Sequence, residues 1–107
     1  MAKHVFKDKY ETARAWVNQS AAWGREGKRA RIFFEGDTIY SYGYHFPIAR
    51  LSGTKTALVT TRSYSVTTAR HIQAVHSVLS HKGYKVFFVD NVLSGYTESN
   101  VKIMLES

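Results

Sequence analysis

Ser65-Val66-Thr67-Thr68-Ala69-Arg70-His71-Ile72-Gln73-Ala74-Val75-His76-Ser77-Val78-Leu79-Ser80-His81-Lys82-Gly83 reads as one amphipathic helix, and its neighbours decide what it packs on. On a 3.6-residue wheel Thr68, Ile72, Val75 and Leu79 share a face, with His71 and Val78 on one border and His76 near the other. Arg70, Gln73, Ser77, Ser80 and His81 point away from that face. Ser65 or Thr67 supplies a hydroxyl to accept from a free amide at the start. Gly83 offers the left-handed backbone that ends a helix. Thr56-Ala57-Leu58-Val59-Thr60-Thr61 before it and Tyr84-Lys85-Val86-Phe87-Phe88-Val89 after it are β-branched and aromatic, and both read as strands.

Working towards the N-terminus, Leu51-Ser52-Gly53-Thr54-Lys55 turns, and Phe46 to Arg50 forms a further strand. Pro47, the single proline, belongs at a strand start or an edge because it cannot donate to a ladder. Ile32-Phe33-Phe34 and Ile39-Tyr40-Ser41-Tyr42 make a hairpin around Glu35-Gly36-Asp37-Thr38, and Gly43 breaks the run with a bulge or tight bend. Asp8 and Glu11 mark a helix start. Ala13, Trp16, Val17, Ser20, Trp23 and Gly24 then keep a three-and-four spacing, which predicts a helix over 9–25 with Trp16 and Trp23 as core anchors. Thr97 caps a short last helix, Glu98 to Leu105, with Val101, Met104 and Leu105 inward. The order is α-β-β-β-β-α-β-α. The expectation is one α+β domain over 1–107, with helices packed on a mainly antiparallel sheet of about five strands.

Composition narrows the function classes. At 107 residues the chain buries one modest core, and 44% hydrophobic with 21% charged residues is a globular balance. A net charge of +7 points to nucleic acid or another polyanion. Zero cysteines exclude disulfides, thiolate catalysis and cysteine zinc sites. No run approaches the roughly 18 apolar residues of a membrane span, and the start of the chain lacks a signal-peptide pattern. The expectation is a cytoplasmic protein with no cofactor.

From Thr38 to Val89 there is not one Asp or Glu, while Arg50, Lys55, Arg62, Arg70, Lys82, Lys85 and four of the five histidines fall inside. Aromatics interleave with these cations, and Tyr40, Tyr42 and Tyr44 would share a face on a regular strand. Such a row beside arginines suits single-stranded nucleic acid by stacking and phosphate attraction. The start of the helix at Ser65, Thr67 and Thr68 combines free amides, hydroxyls and a positive dipole end. The candidate binding residues are therefore Arg29, Arg31, Tyr42, His45, Arg50, Lys55, Arg62, Ser65, Thr67, Thr68, Arg70 and His71. The partner is nucleic acid, either DNA or RNA.

Other chemistries leave weaker traces. No phosphate loop, dinucleotide fingerprint or nucleophile elbow occurs. His71 and His76 are five apart, off the spacing that puts two metal ligands on one helix face, so no metal site is expected. A metal-independent nuclease or small-nucleotide-binding protein would use His45 and His71, since histidine titrates near neutrality. A host-protein interaction module would use the same basic surface against an acidic partner. Ile48, Leu58, Phe87 and Phe88 are available for a homodimer seam.

The wording Tyr40-Ser41-Tyr42-Gly43-x-His45-Phe46-Pro47-Ile48-Ala49, followed by Tyr64-Ser65-x-Thr67-Thr68-x-x-His71, resembles a family of small uncharacterised domains encoded by bacteriophages. The resemblance covers roughly Arg29 to Leu79. It implies a viral accessory protein expressed in a bacterial cytoplasm. It makes Tyr42, His45, Pro47, Ser65, Thr67, Thr68 and His71 the shared positions without giving them roles.

Overall fold

Strand order in the single seven-stranded sheet follows chain order, so each strand pairs with the next one made. The computed structural model describes residues 3–27, 31–44, 46–52, 54–62 and 65–94. The elements are β1 (Val5–Phe6), α1 (Lys9–Asn18), β2 (Trp23–Glu26), β3 (Ile32–Glu35), β4 (Thr38–Ser41), β5 (Pro47–Leu51), β6 (Thr56–Thr60), α2 (Val66–His81) and β7 (Lys85–Val89). A 3-10 turn at Val92–Ser94 follows. The α+β expectation holds, with a mixed sheet.

Strands β2 to β6 form an antiparallel meander. At each end a parallel pair is added, β1 with β2 and β6 with β7. A parallel pair needs a crossover, and α1 and α2 are those crossovers. The two helices pack on each other, so they cover the same face of the sheet. Beneath them Ile32, Phe34, Ile39, Ala49, Ala57 and Val59 meet Ala13, Trp16 and Val17 of α1 and Val75, Val78 and Leu79 of α2. Trp16 is fully buried, and its indole N–H donates to the Asp37 carbonyl at 2.8 Å. The opposite face carries a smaller cluster of Leu58, Val89 and Val92 against Phe87.

The N-terminal helix is shorter than its periodicity suggests. It stops at Asn18, where Gln19 turns left-handed at φ 51°. The Gln19 amide side chain donates to the carbonyls of Trp16 and Gly36. Residues 23–26, expected to be helical, form β2 instead. Backbone pairing outweighs local periodicity here: Arg25 N–H donates to the His4 carbonyl and Gly27 N–H to Phe6, each at 2.8 Å, while β3 takes the other edge. The two strands missed in the sequence, β1 and β2, make the difference between about five strands and seven. Trp23 is consequently not a core anchor. It is 46% exposed on the helix-free face and stacked on His4, with ring centroids 4.0 Å apart.

Elsewhere the elements fall near their expected places. Pro47 opens β5, Gly83 ends α2 at φ 77°, and Gly43 lies in the bend after β4, although the register shift itself falls between Ile39 and Tyr40. Ile48 and Leu58 are buried inside the chain, leaving Phe87 and Phe88 half-buried on β7. The helix expected over Glu98 to Leu105 lies outside the described residues.

Gly24 in β2 sits where two core rings close in. A Cβ placed there would stand 2.6 Å from both Phe34 Cε1 and Phe6 Cε2. Because those rings are packed in the core, Gly24→Ala is expected to cost about 1–3 kcal/mol in urea denaturation. An unchanged midpoint would show that β2 is not clamped between Phe6 and Phe34.

Candidate nucleic-acid interface

Strand direction fixes where the helices begin. Counting through the sheet, β1, β2, β4, β6 and β7 all run the same way, so α1 after β1 and α2 after β6 both start at one end of the sheet. Arg31 enters β3 and Glu26 leaves β2 at that same end. As a result Lys9, Glu26, Arg31, Thr67, Arg70 and His71 line one cleft of about 240 Å³. Asp8 caps α1 by accepting from the Glu11 amide at 2.9 Å. Ser65 caps α2 by accepting from the Thr68 amide at 3.1 Å, which leaves Thr67 to face the cleft.

His71 forms the inner wall. It is only 5% exposed, and its Nδ1 lies 2.8 Å from the Ser41 hydroxyl at the end of β4. Burial, with the positive charges of Lys9 and Arg31 added, pushes its pKa down to about 4, so the imidazole is neutral at pH 7. Nε2 has no partner among the described residues.

Tyr42 breaks the expected tyrosine row. Its backbone is left-handed, at φ 69°, and its amide donates to the Arg31 carbonyl at 2.6 Å. That twist turns the phenol to the helix side, with the Arg31 guanidinium 5.3 Å from the ring centre and His71 6.3 Å away. The Thr67 side chain, helped by the Arg31 charge, holds the Tyr42 hydroxyl below its ordinary pKa. Tyr40 and Tyr44 meanwhile pack together on the opposite face, their ring centres 5.1 Å apart.

The twelve residues expected to bind do not form one surface. Arg31, Tyr42, Ser65, Thr67, Arg70 and His71 gather at the helix starts. Thr68 is beside them but buried at the cap. Arg50 pairs with Asp37 at 3.4 Å, and Arg62 reaches Asp90 through two bonds of 3.3 Å. Those two acids bracket the acid-free window and return to its arginines. Lys55 lies at the far end of the sheet, where its ammonium donates to the Lys82 carbonyl. Arg29 and His45 lie outside the described residues. Lys9 and Glu26 were not foreseen as site residues. The Asp8 cap marks Lys9 as the first residue of α1, but only strand parity brings it to Arg31 and Arg70.

The sequence model of a family of unknown function, DUF8033, matches residues 10–90. The chain belongs to that family. The match runs from α1 through β7, further than the stretch from Arg29 to Leu79 that carried the resemblance, and takes in every cleft residue except Lys9. No curated protein and no solved structure matches the chain. Among the described residues no group of three metal-ligating side chains occurs, and no helix is long and apolar enough to cross a membrane.

The neutral state of His71 has a thermodynamic signature. Its folded pKa lies below the value of 6.5 for an unperturbed histidine, so the unfolded chain takes up this proton first. The stability it contributes is present above pH 6.5 and is lost as pH falls towards 4, a change on the order of 3 kcal/mol. Urea midpoints across that range should fall less steeply in His71→Gln, and the His71 ring proton should show no titration step between pH 8 and pH 5.5 by NMR. A separate prediction concerns the cap: Ser65→Ala should cost about 1 kcal/mol, read by thermal unfolding.

Proposed function

We propose that this protein binds nucleic acid and seats backbone phosphates in the cleft where α2 begins. The observation that carries the reading is the convergence of Lys9, Arg31 and Arg70 on a helix N-terminus, with Glu26 the one carboxylate lining the cleft among the described residues. Among the described residues three cations against one acid leave a local charge of +2, within a chain of +7. Like charges crowd here at an electrostatic cost that an anion relieves. The first turn of α2 adds its positive dipole end, and Thr67 adds a hydroxyl. Ser41 bonds Nδ1, and in the tautomer where its hydroxyl donates, the neutral His71 ring carries its proton on Nε2 and offers it to a phosphate oxygen. Phosphodiesters of the nucleic-acid backbone supply the complementary charge at regular spacing.

Binding is favoured over hydrolysis by the state of His71. A ring held near pKa 4 is a poor general acid at neutral pH, and Ser41, which bonds it, is fully buried. The motif resemblance supports placing the protein as a bacteriophage-type accessory factor acting in a bacterial cytoplasm.

Fluorescence anisotropy of labelled oligonucleotides tests the reading. With three phosphate contacts, affinity should fall roughly 20-fold between about 50 and about 200 mM salt. Arg31→Ala and Arg70→Ala should each lower the salt slope by about one, with urea midpoints unchanged. Absence of binding at low salt, or binding indifferent to salt, overturns the proposal. Capture of a protein from a nuclease-treated bacterial lysate would then point to a host factor with an acidic surface.

A further inference from the structure

Both helices cover one face of the sheet, and the other face is where the aromatic residues collect. Strand alternation puts Trp23 and Arg25 of β2, Phe33 and Glu35 of β3 and Tyr40 of β4 on that side. Tyr44, two residues beyond the left-handed Tyr42, folds back over them. Phe33 stacks on Tyr40 with centroids 5.1 Å apart and planes 17° apart, and Tyr44 meets Phe33 edge-on at 5.0 Å. Tyr44 is 62% exposed and Trp23 46%. Between these two rings runs an open trough of about 460 Å³, which Phe33 also lines.

We infer that this trough is a base-stacking platform, so that the nucleic acid the protein takes is single-stranded. The inference deepens the preceding reading and rests on it. Flat rings with solvent-facing surfaces stack on any base, whereas in a duplex the base faces are already covered by their neighbours. Arg25 and Glu35 both line the trough, so its charges balance among the described residues. Glu35 accepts from the Tyr44 hydroxyl at 2.6 Å, Asp37 is paired with Arg50, and Asp90 with Arg62. Arg25 lines the trough, and its guanidinium reaches only the main-chain carbonyls of Glu26 and Gly27 among the described residues. It is the cation placed for a phosphate beside a stacked base.

The platform and the phosphate cleft are joined by neighbouring residues, since Arg25 lines the one and Glu26 the other. Tyr42 stands beside Arg31 on the helix side, Tyr44 stands over the platform, and Gly43 alone separates them. A strand seated by Lys9, Arg31 and Arg70 can therefore turn over the end of the sheet and lay its next bases against Tyr44, Phe33 and Trp23.

The two tryptophans make the test clean. Trp16 is fully buried with its N–H bonded, so quenching by a bound base reports on Trp23. Titration of the unaltered protein with an oligothymidylate about 12 nucleotides long should quench tryptophan emission to saturation, and Trp23→Phe should abolish the quench. Trp23→Ala and Tyr44→Ala should each weaken single-strand binding about 5- to 100-fold while leaving the salt slope intact. Arg70→Ala should do the reverse, lowering the slope and keeping the quench at saturation. Binding with unchanged Trp23 emission, or a duplex held as tightly as the single strand, overturns the platform while the nucleic-acid reading stands. No binding of any oligonucleotide overturns both.

Discussion

The hydrogen bond between Ser41 and His71 ties the end of a central strand to the second turn of α2, and both partners lie in the core. A buried hydroxyl and a buried imidazole each need a partner, and here each satisfies the other. The bond fixes the rotation of α2 about its own axis. Val75 and Leu79 then face the sheet, while Thr67 and Arg70 project to the cleft at its end. Burial, with Lys9 and Arg31 close by, keeps His71 uncharged. A protonated ring at this position would add a third like charge beside them.

Crowded cations and a left-handed tyrosine are costs concentrated at the end of the sheet where the helices begin. Tyr42 adopts a backbone that β-strand residues avoid, and the reward is that neighbouring tyrosines serve opposite faces. Away from the cleft two arginines are paired with acids. Arg50 and Arg62 meet Asp37 and Asp90 in exposed pairs of the kind that contribute little to stability. Those pairs set the charge pattern more than the fold energy, since they neutralise one arginine at each end of the sheet. Two short stretches of chain join the surfaces: the bend through Tyr42, Gly43 and Tyr44, and the adjacent Arg25 and Glu26 of β2.

Much of this was legible in one dimension. Ser65 and Gly83 bound α2, the β-branched and aromatic runs locate β3 to β7, and Trp16 is a core anchor. These signals are local, because caps, turns and amphipathic faces are encoded within about a dozen residues. The excess of positive charge and the acid-free window were equally plain. Trp23-Gly24-Arg25-Glu26 was not legible, because its residues continue a helical spacing and only the free backbone groups of Val5–Phe6 and Ile32–Glu35 make it a strand.

The sequence by itself determined the α+β class, the limits of α2, the central strands and the excess of positive charge. Tertiary structure alone decided which cations stand together, which are neutralised, and which aromatic residues face water. The physical reason is that a side chain's direction on a strand depends on register and twist. Four strand reversals and one left-handed residue separate Lys9 from Arg70 and Tyr42 from Tyr44. No spacing along the chain carries that information, since it exists only once distant backbones have paired.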